Sequence, residues 1–411
     1  MQILLIHQNF PGQFKHLGPA LVQRGHQVST LTMQSGLSEE WNGVKVFLYK
    51  PMRSSTPNIH PWVVDFETKI IRAEAAFRAA LQLKQQGYQP DLIIAHPGWG
   101  ESLFLKEVWP EVKLAIYCEF YYLAKDGDVD FDPEFFDADP GESCRINIKN
   151  LNNLIHFQQV DAAISPTHWQ ASTFPLPFRD LISVIHDGID TQAITPNPHI
   201  KLTLDNGVTL SKNDEVITYV ARNLEPYRGF HTFMRALPYL LKQRPNARIM
   251  IVGHHDISYG QRPADGRTWR QVFTEEVSTF IEYEDWQRVH FLGNLPYQYF
   301  HAVLQLSSVH VYLTYPFVLS WSLLEAMSCS CAIVASDTKP LREVIQHDQN
   351  GRLVDFFDAP ALAAEIGMLL DNPEMRQRLG EQARAFAVAN YDLNTVCLPK
   401  QLAWVDSLLT G

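Results

Sequence analysis

The chain has 411 residues, 46% of them hydrophobic and 19% charged, which is more than one hydrophobic core usually supports and excludes a disordered or fibrous protein. Its 34 Lys and Arg residues face 45 Asp and Glu residues, for a formal net charge of −11 with no basic block, so wholesale binding to nucleic-acid phosphates is not expected. A local basic pocket for a small anion remains compatible with that charge.

Read in chain order, short apolar runs alternate with polar turns and stretches of helical period. The first runs are Gln2–Ile6 followed by a helical pattern over 13–24, then Gln27–Thr32, a long helical pattern over 61–86, and Leu92–Ala95 followed by one over 101–108. Lys113–Tyr117, 162–164 and 181–185 complete the series. This alternation predicts a parallel sheet covered by helices. The stretch 186–214 is rich in Asp, Asn, Thr and Pro and reads as a linker. A second series follows, with strands expected at 215–220, 248–253, 289–292, 309–313, 332–335 and 352–354 and helices at 229–242 and 322–328. The chain is therefore expected to be α/β, with two doubly wound Rossmann-like domains facing each other across a cleft where ligands bind.

No apolar run approaches the roughly 18 residues of a spanning helix, and the start passes directly from Met1–His7 into a polar loop. The five cysteines show no metal-ligand spacing and read as buried free thiols. A cytoplasmic protein follows, with at most peripheral contact at the inner face of a membrane.

Two segments carry chemistry. In the first, Arg222 stands at the end of the 215–220 run and Arg228 at the opening of the next helical pattern. Both guanidinium groups and the helix's free N–H groups can converge on one anion such as a diphosphate; two solvated arginines on a loop are the competing reading. In the second, Glu325 interrupts the apolar helical run of Leu323, Leu324, Ala326 and Met327. A carboxylate so placed needs donors, such as a ribose diol, to offset its desolvation, unless it caps or faces solvent.

These segments, in this order, resemble the retaining glycosyltransferases of family 4, which have the GT-B fold. The segments Val184-Ile185-His186-Asp187-Gly188-Ile189-Asp190, Phe291-Leu292-Gly293-Asn294, Ile251-Val252-Gly253 and Gly25-His26-Gln27-Val28 extend the resemblance over essentially the whole chain. His96-Pro97-Gly98-Trp99-Gly100-Glu101 resembles one subgroup of that family. The resemblance implies a glycosyltransferase that moves a hexosyl group from a UDP-, GDP- or ADP-sugar to a glycan, lipid-linked or small-molecule acceptor, with retention and without a cofactor or metal. It implies an acceptor domain over 1–190, rejoined by a C-terminal helix within 391–411, and a donor domain over 191–390. Arg222 and Arg228 would hold the pyrophosphate, with Glu119 as a third catalytic residue. Gly12, Gly253, His254, Asn294, Leu295, Ser320, Trp321, Ser322 and Glu325 would surround the donor.

The sequence departs from the family pattern in three places. Phe317 occupies the first position of the usual E-x(7)-E segment, Glu119 stands where a His is common, and the glycine-rich first loop is reduced to Asn9-Phe10-Pro11-Gly12-Gln13. A catalytically weakened nucleotide-sugar-binding partner and a nucleotide-sugar epimerase of the same fold are the alternatives. The Asp-rich run 126–132 lacks the Gly and Glu of a calcium loop, since Phe131 and Asp137 stand at those positions. It reads instead as an acidic, aromatic-rich acceptor-side loop or a packed loop core. His254 and His255 are expected to point in different directions, which disfavours a metal site.

Overall fold

The computed structural model describes residues 1–136 and 139–410. Asp137, the twelfth position of the calcium-loop pattern, and Gly411, the end of the C-terminal segment, lie outside them. Two compact units are formed: one from residues 1–188 together with 394–411, the other from 189–393.

The first unit is built on strands β1 (Gln2–Ile6), β2 (Gln27–Thr32), β3 (Glu40–Trp41), β4 (Val44–Leu48), β5 (Leu92–Ala95), β6 (Lys113–Tyr117), β7 (Ala162–Ser165) and β8 (Ile182–Val184). They lie in the order β3-β4-β2-β1-β5-β6-β7-β8, every pair parallel except β3 with β4. Successive side chains of a strand leave opposite faces, so the continuous apolar runs feed two cores. Leu4, Ile6, Ile93, Ala95, Leu114 and Ile116 join one, and Ile3, Leu5, Leu92, Ile94, Ala115 and Tyr117 the other. The C-terminal helix Leu398–Thr410 places Leu402, Trp404 and Val405 in this second core.

The second unit begins with a two-stranded antiparallel ribbon, β9 (Lys201–Thr203) and β10 (Thr209–Ser211), inside the stretch expected to be a linker. Its sheet comprises β11 (Val216–Asn223), β12 (Arg248–His254), β13 (Val289–Gly293), β14 (Val309–Tyr312), β15 (Ala332–Ser336) and β16 (Arg352–Val354). All are parallel, in the order β13-β12-β11-β14-β15-β16. The chain thus reverses direction of growth between β11 and β14, the switch point where ligands of such sheets bind beyond the strand ends.

Three expectations are corrected. The helix expected over 101–108 is confined to Leu105–Val108, because Gly100 is left-handed (φ +99°) and the side chains of Glu101 and Ser102 are spent on Tyr49 and His156. The helix expected over 13–24 divides into a 3-10 turn, Gly12–Phe14, and a helix, Leu17–Gln23. Of the five free cysteines four are buried, whereas Cys144 is exposed.

Candidate active site

In the second unit the turn after β11 is forced by packing. Gly229 has φ +66°, and a Cβ there would lie 2.4 Å from Leu313 Cβ, so only glycine lets the helix Phe230–Gln243 start this close to the end of β14. That turn drops Arg228 beneath the strand ends. Its buried guanidinium donates through Nη1 to Tyr312 Oη (3.2 Å), Thr314 Oγ1 (2.9 Å) and the Val318 carbonyl (3.1 Å). Arg222, six residues earlier near the end of β11, is exposed, and no hydrogen bond or ion pair holds its guanidinium among the described residues. The two arginines are therefore not equivalent: one is a fixed cation in the floor, the other is available to solvent.

Phe317 fills a buried position beside this floor. The Arg228 guanidinium carbon lies 5.8 Å from the Phe317 ring centre and 5.2 Å from that of Tyr259, while Tyr227 and Tyr259 meet Phe317 edge-on at 5.5 and 4.8 Å. An aromatic face thus stands where the family places a carboxylate, and the buried Glu225 carboxylate acts on the Arg228 charge in its stead.

Tyr259 is held there by Glu225, a residue absent from the sequence reading as a site residue. Its fully buried carboxylate accepts hydrogen bonds from the backbone N–H groups of Ser258 (3.1 Å), Tyr259 (3.1 Å) and Gly260 (3.0 Å). Asn223 Nδ2 adds a bond to Ser258 Oγ at 2.6 Å.

Glu325 is buried on the helix Trp321–Ser328 and accepts a hydrogen bond from the Tyr297 hydroxyl. Burial and the adjacent Glu325 carboxylate raise the Tyr297 pKa above the ordinary tyrosine value, which keeps the phenol a donor. Ser320 caps this helix: its Oγ accepts from Ser322 N–H, and its own N–H donates to Tyr312 Oη (2.9 Å), the same hydroxyl that receives Arg228. Trp321 and Asn294 are exposed, and Leu295 packs against the core that contains Leu323 and Leu324. Gly253 closes β12 where a Cβ would fall 2.7 Å from Leu224 Cδ2 and 2.9 Å from the Ala221 carbonyl. Contrary to expectation, the exposed His254 and His255 rings lie alongside each other, 5.8 Å apart and 26° from parallel, and His255 Nε2 faces Arg270 Nη1 at 3.2 Å.

The first unit assembles a separate cluster at its own strand ends. His7 follows β1, His96 follows β5, and Glu119 follows β6 by two residues. Asn9 N–H donates to His7 Nδ1 (3.0 Å), which leaves Nε2 as the protonated nitrogen toward Gln13 Oε1 (2.7 Å); Gln13 Nε2 in turn donates to Glu119 Oε1 (3.1 Å). Glu119 Oε2 stands 3.5 Å from His96 Nε2, a buried nitrogen with no hydrogen-bond partner of ordinary length. Burial, reinforced by His96, pushes the His7 pKa down to about 3, so its ring is neutral. Gly12 (φ +45°) is required because a Cβ would meet the His7 ring at 2.2 Å. His7, Gln13 and His96 were missed as site residues, although position just beyond a parallel strand is itself a signal for His7 and His96.

Two tandem parallel α/β units, with candidate side chains gathered at their carboxyl strand ends, define the GT-B class of architecture. Residues 24–194 match the Glycosyl transferase family 4 group, and residues 203–386 match Glycosyl transferases group 1. The chain belongs to this glycosyltransferase family. It is 26% identical over 207 residues to D-inositol 3-phosphate glycosyltransferase of Corynebacterium efficiens, covering 50% of this chain and 46% of that protein. It is also 26% identical over 194 residues to phosphatidyl-myo-inositol mannosyltransferase of Mycobacterium tuberculosis strain H37Rv, covering 45% of each. The chain thus spans about half the length of these curated relatives. In fold it resembles the sucrose-phosphate synthase of Thermosynechococcus elongatus (TM-score 0.73, 19% identity, all of both chains). It also resembles HepE of Anabaena, solved with UDP-glucose (TM-score 0.68, 16% identity, 99% of each). No helix among the described residues is long and apolar enough to cross a membrane.

Proposed function

We propose that the protein transfers a hexosyl group from a nucleoside diphosphate sugar to an acceptor, with retention at the anomeric carbon and without a divalent metal. The observation that carries this reading is the arrangement in the second unit. Arg222 at the end of β11, Arg228 in the turn that follows and the start of the helix Phe230–Gln243 belong to one βα unit, while Glu325 lies on the helix that follows β14. As the diphosphate leaves, negative charge accumulates on its oxygens, and fixed cations and N–H dipoles stabilise that charge without reorganising. Arg228 supplies a fixed positive field from the floor and Arg222 a direct bidentate contact. Glu325 accepts from the ribose diol, with Tyr297 orienting its carboxylate. Gly253, His254, Asn294, Leu295, Ser320, Trp321 and Ser322 form the surrounding donor surface.

The first unit would take the acceptor. There Glu119, oriented by Gln13 and faced by His96, would accept the proton of the attacking hydroxyl or hold a hydroxyl of the sugar. The relative that is an inositol-phosphate glycosyltransferase and the HepE complex with UDP-glucose support the donor and acceptor classes. Incubation with UDP-, GDP- and ADP-hexoses, in the presence of excess chelator, tests the reading. Release of the diphosphate with an α-configured product by NMR is expected. Loss of all turnover that manganese or magnesium restores would overturn metal independence, and unchanged donors throughout would overturn transfer.

A further inference from the structure

Within the first unit, a cavity of about 130 Å³ opens beside Glu119 and is lined by Lys69, Lys149, Trp99, Tyr122 and Asn153. Its two ammonium groups differ. Lys69 is fully engaged: Nζ lies 2.9 Å from Asp65 Oδ2 and donates to the Lys149 carbonyl (3.1 Å) and Asn152 Oδ1 (3.1 Å). Lys149 Nζ rests 3.4 Å from the centre of the Tyr122 ring, and this ammonium makes no hydrogen bond or ion pair among the described residues. Asn153 stands four residues on, in the next helix (Leu151–Phe157), buried, and its amide likewise finds no partner among the described residues. A lysine charge and an amide donor left over at one cavity wall are a matched pair for an oxyanion.

We infer that this cavity holds an anionic group of the acceptor, a phosphate or carboxylate, with Lys149 Nζ as its counter-charge and the Asn153 amide as a second donor. The inference rests on the reading of the first unit as the acceptor side. Burial lowers the Lys149 pKa to about 8, Asp65 and Asp128 supporting its charge and Arg145 and Lys69 opposing it, so a bound anion relieves an existing penalty. The anion then sits in the same cavity wall as Glu119, where an acceptor hydroxyl would be deprotonated.

Titration calorimetry of the full chain with glucose, glucose 6-phosphate and dihexanoylphosphatidic acid tests this. At least one phosphorylated probe should bind about tenfold or more tightly than glucose, which corresponds to about 1.4 kcal/mol. Which one binds separates a soluble from a lipid-borne anion. The preference should vanish in Lys149→Met, weaken in Asn153→Ala and survive in Arg222→Ala. Equal affinity for glucose and both phosphorylated probes would overturn the inference, as would a preference that Lys149→Met retains. UDP binding and donor turnover, measured on the same proteins, keep the two readings apart: their loss in the wild type refutes the transferase, not the anion site.

Discussion

Arg222 and Arg228 look alike in sequence and would be expected to behave alike on substitution. Their surroundings predict otherwise. Arg222 is exposed and tethered to nothing among the described residues, so Arg222→Ala should leave thermal stability unchanged while kcat/KM for the donor falls by roughly tenfold to a thousandfold. Arg228 satisfies Tyr312, Thr314 and the Val318 carbonyl from a buried position. Arg228→Ala removes that donor and should cost about 1–3 kcal/mol of stability in addition to activity. Thermal unfolding and donor kinetics on both variants check this. Equal stability losses, or wild-type kinetics in Arg222→Ala, would contradict the assigned division between a fixed floor cation and a contacting one.

At the scale of elements, the loop from His254 to Gly260 owes its shape to Glu225. Three backbone N–H groups converge on one buried carboxylate, and this holds Tyr259 over Arg228. Glu225→Ala would strand those donors, each a hydrogen bond to a charged acceptor worth about 1.5–3 kcal/mol. Faster amide exchange at Ser258, Tyr259 and Gly260 than in β12 is expected, together with a weakened donor KM; unchanged exchange at these amides would refute the pinning role. The loop also shows where legibility ended. Most of the parallel strands were readable because runs such as Leu92–Ala95 are apolar on both faces, and the ends of those expected shift by at most three residues. β11 runs on through Arg222 and Asn223 because backbone pairing with His254 continues after the apolar pattern stops. The strands β3, β9 and β10 were not readable, since two or three residues carry no periodicity, and the five-residue β4, whose apolar run is interrupted by Lys45, was missed as well. Arg222, Arg228 and Glu325 stand out within their own segments. Glu225 does not, because its partners lie 33 to 35 residues away and are backbone groups with no sequence signature.

Across the whole molecule, burial of histidines sets the response to acid. Burial pushes the pKa of His7, His186 and His310 down to about 3 and that of His156 to about 4. Their hydrogen bonds suit the neutral ring. His156 takes the Ser102 hydroxyl at Nε2 (2.8 Å) and donates through Nδ1 to the Asn152 carbonyl (2.6 Å), and His310 Nδ1 meets Thr218 Oγ1 at 2.8 Å. His186 Nδ1 accepts from the Gly188 N–H at 3.0 Å. In the unfolded chain these rings protonate near pH 6.5, whereas the folded chain resists until about 3 to 4. The unfolded state therefore binds more protons throughout that window, and stability must fall as pH drops through it. Glu101 works in the opposite direction: burial raises its pKa above the usual glutamate value, so the folded state gains a proton first and is stabilised on acidification. The four histidines outnumber it. At about 1.36 kcal/mol per pH unit for each ring, lowering the pH from 6.5 to 5 should cost on the order of 2 kcal/mol per histidine. Urea unfolding at constant ionic strength should then show a clearly lower midpoint at pH 5.0 than at pH 7.5. The effect should be smaller in His310→Asn, which replaces the ionisable ring in the second unit with a neutral amide. Identical midpoints at the two pH values, or an undiminished pH dependence in His310→Asn, would show that these rings accept protons in the folded protein after all.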